Sequence, residues 1–397
     1  MRIVLFYSGV ESFNYFTDRL CEEFLRRGHT VFILNLQNPP EDDPHSYRFF
    51  AEFLKAKVDM AVSFDGFGIK DELFIELWNE LDVAAVNILM DHPLRFHPTM
   101  EHHPLRYFQF CCDKNHVSYV KKYFSDTVEH VAFMPHAGTL SEEEYVKPYE
   151  KRPYDILFSG TYYRPEDQRD RMTEYFPEGS TLYDFYMVMA DFMLAHSSVT
   201  TEQAAFTAIE QTGLQIQDDQ LKTIFRCSEP LDWMVRMYQR ERVVRTLAEA
   251  GFDLWLLGRG WENHPSAHLS NVHRLDDRIP FAQTLPYMAQ AKINLNVMPW
   301  FKAGTHDRIF NILLQHSLPL TDSSSWIDEN FLAGEELALY DLEKLEELPG
   351  IAAELLNDTV KAERMIERGY HKVKKNFTWI NCANQILRTV EEGERQK

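Results

Sequence analysis

The sequence predicts an α/β protein of two doubly wound, parallel-sheet domains, the second carrying a helical insertion. Three observations carry this reading. Over the first 135 residues, short apolar runs that end in turn residues alternate with stretches of helical periodicity. A polar stretch over 136–153, with Pro148 and Pro153, separates this series from a second one of the same kind. Strands that alternate with helices imply right-handed crossovers, and hence parallel strands covered on both faces.

In chain order, Arg2–Tyr7 is an apolar run stopped by Ser8-Gly9 and reads as a buried strand. Phe13, Phe16, Leu20, Phe24 and Leu25 recur at helical spacing, Gly28 closes that helix, and His29–Leu36 reads as the next strand. The cycle repeats with strands at Asp59–Phe64, Val83–Met90, Tyr107–Cys112 and His130–Pro135, and with helices around Ala51–Ala56, Leu73–Leu81 and Lys114–Phe124. After the polar stretch come strands at Asp155–Ser159, Asp253–Leu257, Asn271–Leu275, Lys292–Val297, Leu318–Thr321 and Glu336–Tyr340. Between the first two lies a helical stretch over about 180–250, in which Leu182, Phe185, Met189, Phe192 and Met193 share one face. It reads as a packed insertion or as an element for binding an acceptor or partner. Beyond Asp341 the pattern is nearly all helical. The expected domains are 1–140 and 150–375.

Composition narrows the function. The 397 residues carry 41 Lys and Arg against 61 Asp and Glu, a net charge of −20. A duplex-binding protein needs a cationic face that displaces counterions, so a nucleic-acid partner is not expected. No apolar stretch approaches the roughly 18 residues of a membrane span, so no membrane insertion is expected. Five cysteines without CxxC spacing suit a reducing compartment, and the opening apolar run is short for a secretory segment. The expectation is a soluble cytoplasmic protein.

In open α/β sheets ligands bind beyond the carboxyl ends of the strands, so the loops there are the candidates. Gly9 and Glu11 follow the first strand, where a glycine and a helix start suit an oxygen-rich ligand, or form a plain turn. Gly160, Thr161 and Arg164 follow the first strand of the second series. Arg164 could hold a phosphate, or pair with Glu166 or Asp167 on a solvated helix. Gly258 and Arg259 form a second glycine turn where amides and a guanidinium could approach a phosphate. Thr305, His306, Arg308 and Asn311 open a helix, with Thr305 expected as its N-cap and Arg308 one turn in. Asp91 and His92 follow the Val83–Met90 strand and His136 the last strand of the first domain; these are candidate proton acceptors. The histidines at 97, 102 and 103 lack a matched carboxylate or thiolate set, and Asp276-Asp277 reads as a loop pair, so no metal is expected.

Several of these pieces resemble the GT-B glycosyltransferases. Leu25-Arg26-Arg27-Gly28-His29-Thr30-Val31 is similar to the end of their first helix, and Phe133-Met134-Pro135-His136-Ala137 to the end of their N-terminal domain. Asp155–Gly160, Leu256–Gly260 and Gly304–Asp322 are similar to the start, glycine turn and phosphate helix of their donor domain. Arg308-Ile309-Phe310-Asn311 stands where the spore maturation protein CgeB-like group has Arg-x-Phe-Glu. The resemblance implies metal-independent transfer of a sugar from a nucleotide-diphosphate sugar to a hydroxyl of a glycan, protein or small molecule, with no cofactor. The base would lie near Leu275, and a last helix over 376–397 would cross back to the first domain. The sequence departs from the group-1 class, whose two glutamates fall here on Ala303 and Asn311. That departure keeps a non-catalytic nucleotide- or carbohydrate-binding protein open, and a sugar-nucleotide epimerase remains a further alternative.

Overall fold

The computed structural model describes residues 1–140, 145–276 and 278–395. It contains two six-stranded sheets. The first is built from β1 (Arg2–Tyr7), β2 (Thr30–Asn35), β3 (Met60–Phe64), β4 (Ala84–Leu89), β5 (Tyr107–Cys111) and β6 (His130–Phe133), in the order β2-β1-β3-β4-β5-β6. The second is built from β7 (Tyr154–Ser159), β8 (Leu254–Leu257), β9 (Val272–Arg274), β10 (Ala291–Asn296), β11 (Leu318–Thr321) and β12 (Ala338–Leu339), in the order β12-β11-β10-β7-β8-β9. Every pairing is parallel. The doubly wound class expected from the sequence is therefore the one observed. Strand order reverses between β1 and β3 in one sheet and between β7 and β10 in the other, and these are the places where such sheets leave room for a ligand.

The chain divides into two compact units. One holds Met1–Ala137, Pro280–Ala282 and the chain from Asn376; the other holds Gly138–Ile279 and Gln283–Lys375. In the first, Ile3, Leu5, Met60, Val62, Val86 and Phe110 line the sheet, and Phe16, Leu20 and Phe24 cover it from the helix Glu11–Arg26. Trp379, Cys382, Ala383, Ile386 and Val390 of the last helix, Trp379–Arg395, join the same core at three- and four-residue spacing. Each fully buried side chain of this kind contributes about 1.5–3 kcal/mol. Gly28, at φ +78, supplies the left-handed residue that ends the first helix.

In the second unit, four helices (Pro165–Tyr175, Thr181–Ala195, Thr201–Thr212 and Asp218–Cys227) are inserted before the crossover helix Glu229–Glu249. That crossover helix has 21 residues and is about 31 Å long, far longer than the four-residue strand β8 that it leads into. Its second half packs Val243, Val244, Leu247 and Ala248 into the sheet core. Its first half therefore runs on past the carboxyl ends of the strands. The strand expected at Glu336–Tyr340 shrinks to Ala338–Leu339. Glu336 is taken instead by a 2.5 Å ion pair to Lys372 and by the amide of Leu332 at 2.8 Å.

Candidate functional site

Two glycine turns meet at the carboxyl end of the second sheet. Beyond β7 and β8 the ladder continues, with Gly160 N donating to Leu257 O at 2.8 Å and Tyr162 N to Arg259 O at 2.9 Å. The turns touch so closely that a Cβ on Gly258, at φ +131, would lie 2.4 Å from Gly160 O. A Cβ on Gly260 would lie 1.9 Å from Tyr162 O. Only glycine fits either place. Trp261 Nε1 donates to Gly160 O at 2.8 Å and pins the pair.

Two guanidinium groups converge on these turns. Arg308 Nη1 donates to Asn296 Oδ1 at 2.7 Å, and its Nη2 would lie 3.3 Å from a Cβ on Gly160. Arg240, from the middle of the crossover helix, donates from Nη1 to Thr161 O. The Phe158 ring lies beside both, 5.3 Å from the Arg240 Cζ and 5.5 Å from that of Arg308. Neither arginine makes an ion pair among the described residues. Burial, reinforced by Arg308 and Arg236, pushes Arg240 down to about 9. Burial lowers Arg308 too, against the opposing charge of Asp307. A third arginine, Arg236, is neutralised by Asp232 at 2.7 Å and lies 4.3 Å from the Trp300 ring. Arg240 is buried and Arg308 half-buried, and holding two such cations together without an ion pair is unfavourable, which a bound anion would offset.

The support beneath them is equally buried. Asn296, at the end of β10, donates from Nδ2 to Thr321 Oγ1 at 2.9 Å, and Tyr340 Oη donates to Asn296 O at 2.7 Å. Asp322 accepts from Met298 N at 2.8 Å, and burial raises its carboxyl to about 7.

The candidates read from the sequence divide. Gly160, Thr161, Gly258 and Arg308 come together here. Arg259 extends from the same turn and is exposed, and Leu275 continues the ladder by donating to Leu256 O at 2.9 Å. Arg164 is exposed and pairs with Asp167, the solvated-helix alternative. Thr305 is fully buried and does not cap its helix. The helix begins at Asp307, and the His306 Nδ1 accepts from Arg308 N at 3.1 Å because His306 holds the extended backbone of the cap position. Asn311 is 1 % exposed and its amide is committed, accepting from Thr139 N at 2.9 Å and donating to Asp307 Oδ2 at 2.9 Å, so it presents no group to a diol.

In the first unit, Asp91 pairs with Arg95 at 3.3 Å. His92 is buried, its Nδ1 accepts from Leu94 N at 3.0 Å, and its ring lies 4.4 Å from that of His116. His136 is buried three residues past β6. Gly9 is open, with nothing near a Cβ, and Glu11 accepts the amide of Phe281 at 2.8 Å. Among the described residues no group of three or more His, Cys, Asp or Glu side chains is placed to hold a metal ion, and no helix is long and apolar enough to cross a membrane. Asp277 lies outside the described residues.

Sequence reasoning missed Arg240. The available signal was its four-residue spacing from Arg236, which sets two arginines on the helix face shared with Val243 and Val244.

Residues 239–388 match the family described as glycosyl transferase-like. Sucrose-phosphate synthase from Thermosynechococcus elongatus superimposes over 100 % of both chains with a TM-score of 0.55 at 10 % identity. The fold is that of the GT-B glycosyltransferases. An α-glucosyltransferase in complex with UDP and DNA (12 % identity, 98 % and 99 % of the two chains, TM-score 0.52) is also similar. So is Anabaena HepE in complex with UDP and glucose (9 % identity, 99 % and 100 % of the two chains, TM-score 0.52). Among curated proteins, none matches the chain. The matched segment begins at Gln239 of the crossover helix and so takes in Arg240 and Arg308 together.

Proposed function

We propose that the protein is a glycosyltransferase whose second unit binds a nucleotide-diphosphate sugar. The diphosphate would lie on the Gly160 and Gly258 turns against Arg240 and Arg308. The observation that carries this reading is a pair of guanidinium groups, Arg240 buried and Arg308 half-buried, that have no carboxylate ion-pair partner among the described residues and are set on two turns that exclude any side chain. The GT-B fold and the match over 239–388 support it. The neighbours bound to UDP agree with a donor of this class.

The chemistry follows from electrostatics. As the bond from the anomeric carbon to the diphosphate oxygen breaks, negative charge grows on the diphosphate. Fixed donors already aimed there stabilise the transition state more than the ground state. Arg308 is held by Asn296, and Arg240 by Thr161 O, so little reorganisation is needed when charge develops. With two guanidinium groups, this chain's own residues can meet that charge without a metal ion. The base edge would face the Leu275 main chain. The acceptor, a glycan, a protein or a small hydroxyl compound, would be bound by the first unit.

A second reading has its own observation. Ala303 is 7 % exposed and Asn311 is committed inside the fold, so neither performs the work of the glutamates found there in the group-1 class. A binding protein without turnover would keep the arginine pair and need neither. Thermal shift and calorimetry with UDP, GDP, dTDP and CMP, followed by donor turnover, decide the matter. Binding of one diphosphate with sugar release supports transfer, binding without turnover supports the second reading, and no nucleotide binding removes both.

A further inference from the structure

The first unit contains a built feature that donor binding does not use. The loop leaving β3, beside the strand-order reversal, reads Asp65-Gly66-Phe67-Gly68. Asp65, Gly66 and Gly68 all hold left-handed backbone, at φ +49, +80 and +81. Such conformations are strained for aspartate and persist where the surroundings over-determine them. Here they do: a Cβ on Gly68 would lie 2.4 Å from the Phe6 ring, Gly66 N donates to Asn87 Oδ1 at 2.8 Å, and Trp78 Nε1 donates to Gly68 O at 2.8 Å.

This frozen turn presents one carboxyl. Asp65 is 9 % exposed, and its Oδ1 accepts from Met90 N at 2.9 Å. Its Oδ2 has no partner among the described residues, and it is absent from the unpartnered polar atoms that are sealed from solvent. Beside it, the Phe13 ring lies 5.8 Å from that of Phe64 and 6.4 Å from that of Phe67, with Lys70 Nζ 4.6 Å from the Phe67 ring. Phe13 and Phe67 are both half-buried. A spare carboxylate oxygen next to partly open aromatic rings suits a ring that has an apolar face and a hydroxyl on its edge.

We propose that the Asp65–Gly68 turn is the acceptor subsite and that it takes a glycoside, whose ring lies against Phe13 and Phe67 and whose hydroxyl donates to Asp65 Oδ2. This rests on the glycosyl-transfer reading. In the transfer, the hydroxyl oxygen bonds to the anomeric carbon while the bond from that carbon to the diphosphate breaks. The electron pair of the broken bond stays on the diphosphate. The hydroxyl proton passes to Asp65 Oδ2 and then to solvent. The charged and titratable groups facing Asp65 are Asp91, Arg95, Lys70 and Cys112; burial and Asp91 raise its carboxyl to about 7, against Arg95 and Lys70. The proton-accepting form therefore fills as pH rises through neutrality.

The test uses methyl and 4-nitrophenyl glucosides, galactosides and mannosides as probes, with ligand-observed NMR on the full chain. At least one should bind the wild type. Asp65→Asn, which keeps an acceptor for Met90 N, and Phe67→Ala should each weaken that probe about tenfold or more, while UDP affinity stays within about twofold. With the sugar nucleotide that matches the bound diphosphate, Asp65→Asn should slow transfer to the probe by about 100-fold and abolish the rise of rate through about pH 7. No probe binding by the wild type, or unchanged affinity in both variants, overturns the subsite. Undiminished transfer by Asp65→Asn, or no transfer to a probe that binds, overturns the proton transfer. Failure of the wild type to bind any of the nucleotides tested overturns the glycosyl-transfer reading itself, a result distinct from all of these.

Discussion

The strand ends of the two units have the same frame and gather different side chains. Each places a buried aspartate after a strand, Asp65 after β3 and Asp322 after β11. Each aspartate accepts an amide from the end of the neighbouring strand, Met90 N in one and Met298 N in the other. Burial raises both carboxyls to about 7. Around this shared tie the side chains diverge. The second unit gathers Arg236, Arg240 and Arg308 and neutralises only Arg236, whereas the first gathers Asp91, His92, His116 and a carboxyl with a spare oxygen. A doubly wound sheet supplies a place for a ligand, and the charge delivered to that place selects which ligand.

The largest expected effect breaks what the units share. Each aspartate binds its proton more tightly folded than unfolded. It therefore costs nothing below about pH 4 and its full penalty above about pH 7, near 4 kcal/mol at most. Asp65→Asn or Asp322→Asn should match the wild type in urea unfolding at pH 4 and exceed it increasingly up to pH 8. A wild-type advantage at pH 8 would contradict the buried-carboxyl picture.

Next in size, Gly258→Ala drives a methyl into Gly160 O and should cost about 3 kcal/mol of stability, seen as a lower denaturation midpoint. Nothing in the first unit's Gly9 turn resists a side chain, so Gly9→Ala should be tolerated.

Arg240→Met separates stability from binding. Replacing a buried unpaired cation by an apolar side chain should raise stability by about 1–4 kcal/mol. It should also weaken UDP binding by about 1.5–3 kcal/mol, because a charge-assisted contact is lost. Calorimetry on the same sample that is melted reads both signs. Asn296→Ala removes the group that orients Arg308, together with its bond to Thr321 Oγ1, and should cost nucleotide affinity about 1 kcal/mol. Arg164→Ala is the smallest: its pair with Asp167 is exposed and screened by solvent, so neither the denaturation midpoint nor nucleotide affinity should move.

Much of this architecture was legible in the sequence because it rests on local periodicity. Arg2–Tyr7 is a strand to the residue, and Leu318–Thr321 likewise, since apolar runs bounded by turn residues have few other uses. The glycine turns at Gly160 and Gly258 were legible for a similar reason, since each follows a strand directly, and Arg308 because it stands in the first turn of the helix that comes after β10. Arg240 was not, because it lies far along the chain from the turn it reaches, on a helix whose overhang depends on how its second half packs. Thr305 and Asn311 misled because hydrogen-bonding capacity is visible in a sequence and its consumption is not. Thr305 is sealed inside, and Asn311 spends both ends of its amide on Thr139 and Asp307.

By itself, then, the sequence determined two parallel α/β series, an inserted run of helices and the turns at the strand ends, because each follows from hydrophobic period and backbone freedom within a short window. Only the tertiary structure decided which charges meet. Arg236 finds its carboxylate within one helical turn, at Asp232, but whether Arg240 is left buried beside Arg308 depends on contacts between residues tens of positions apart and on the water that folding removes from around them.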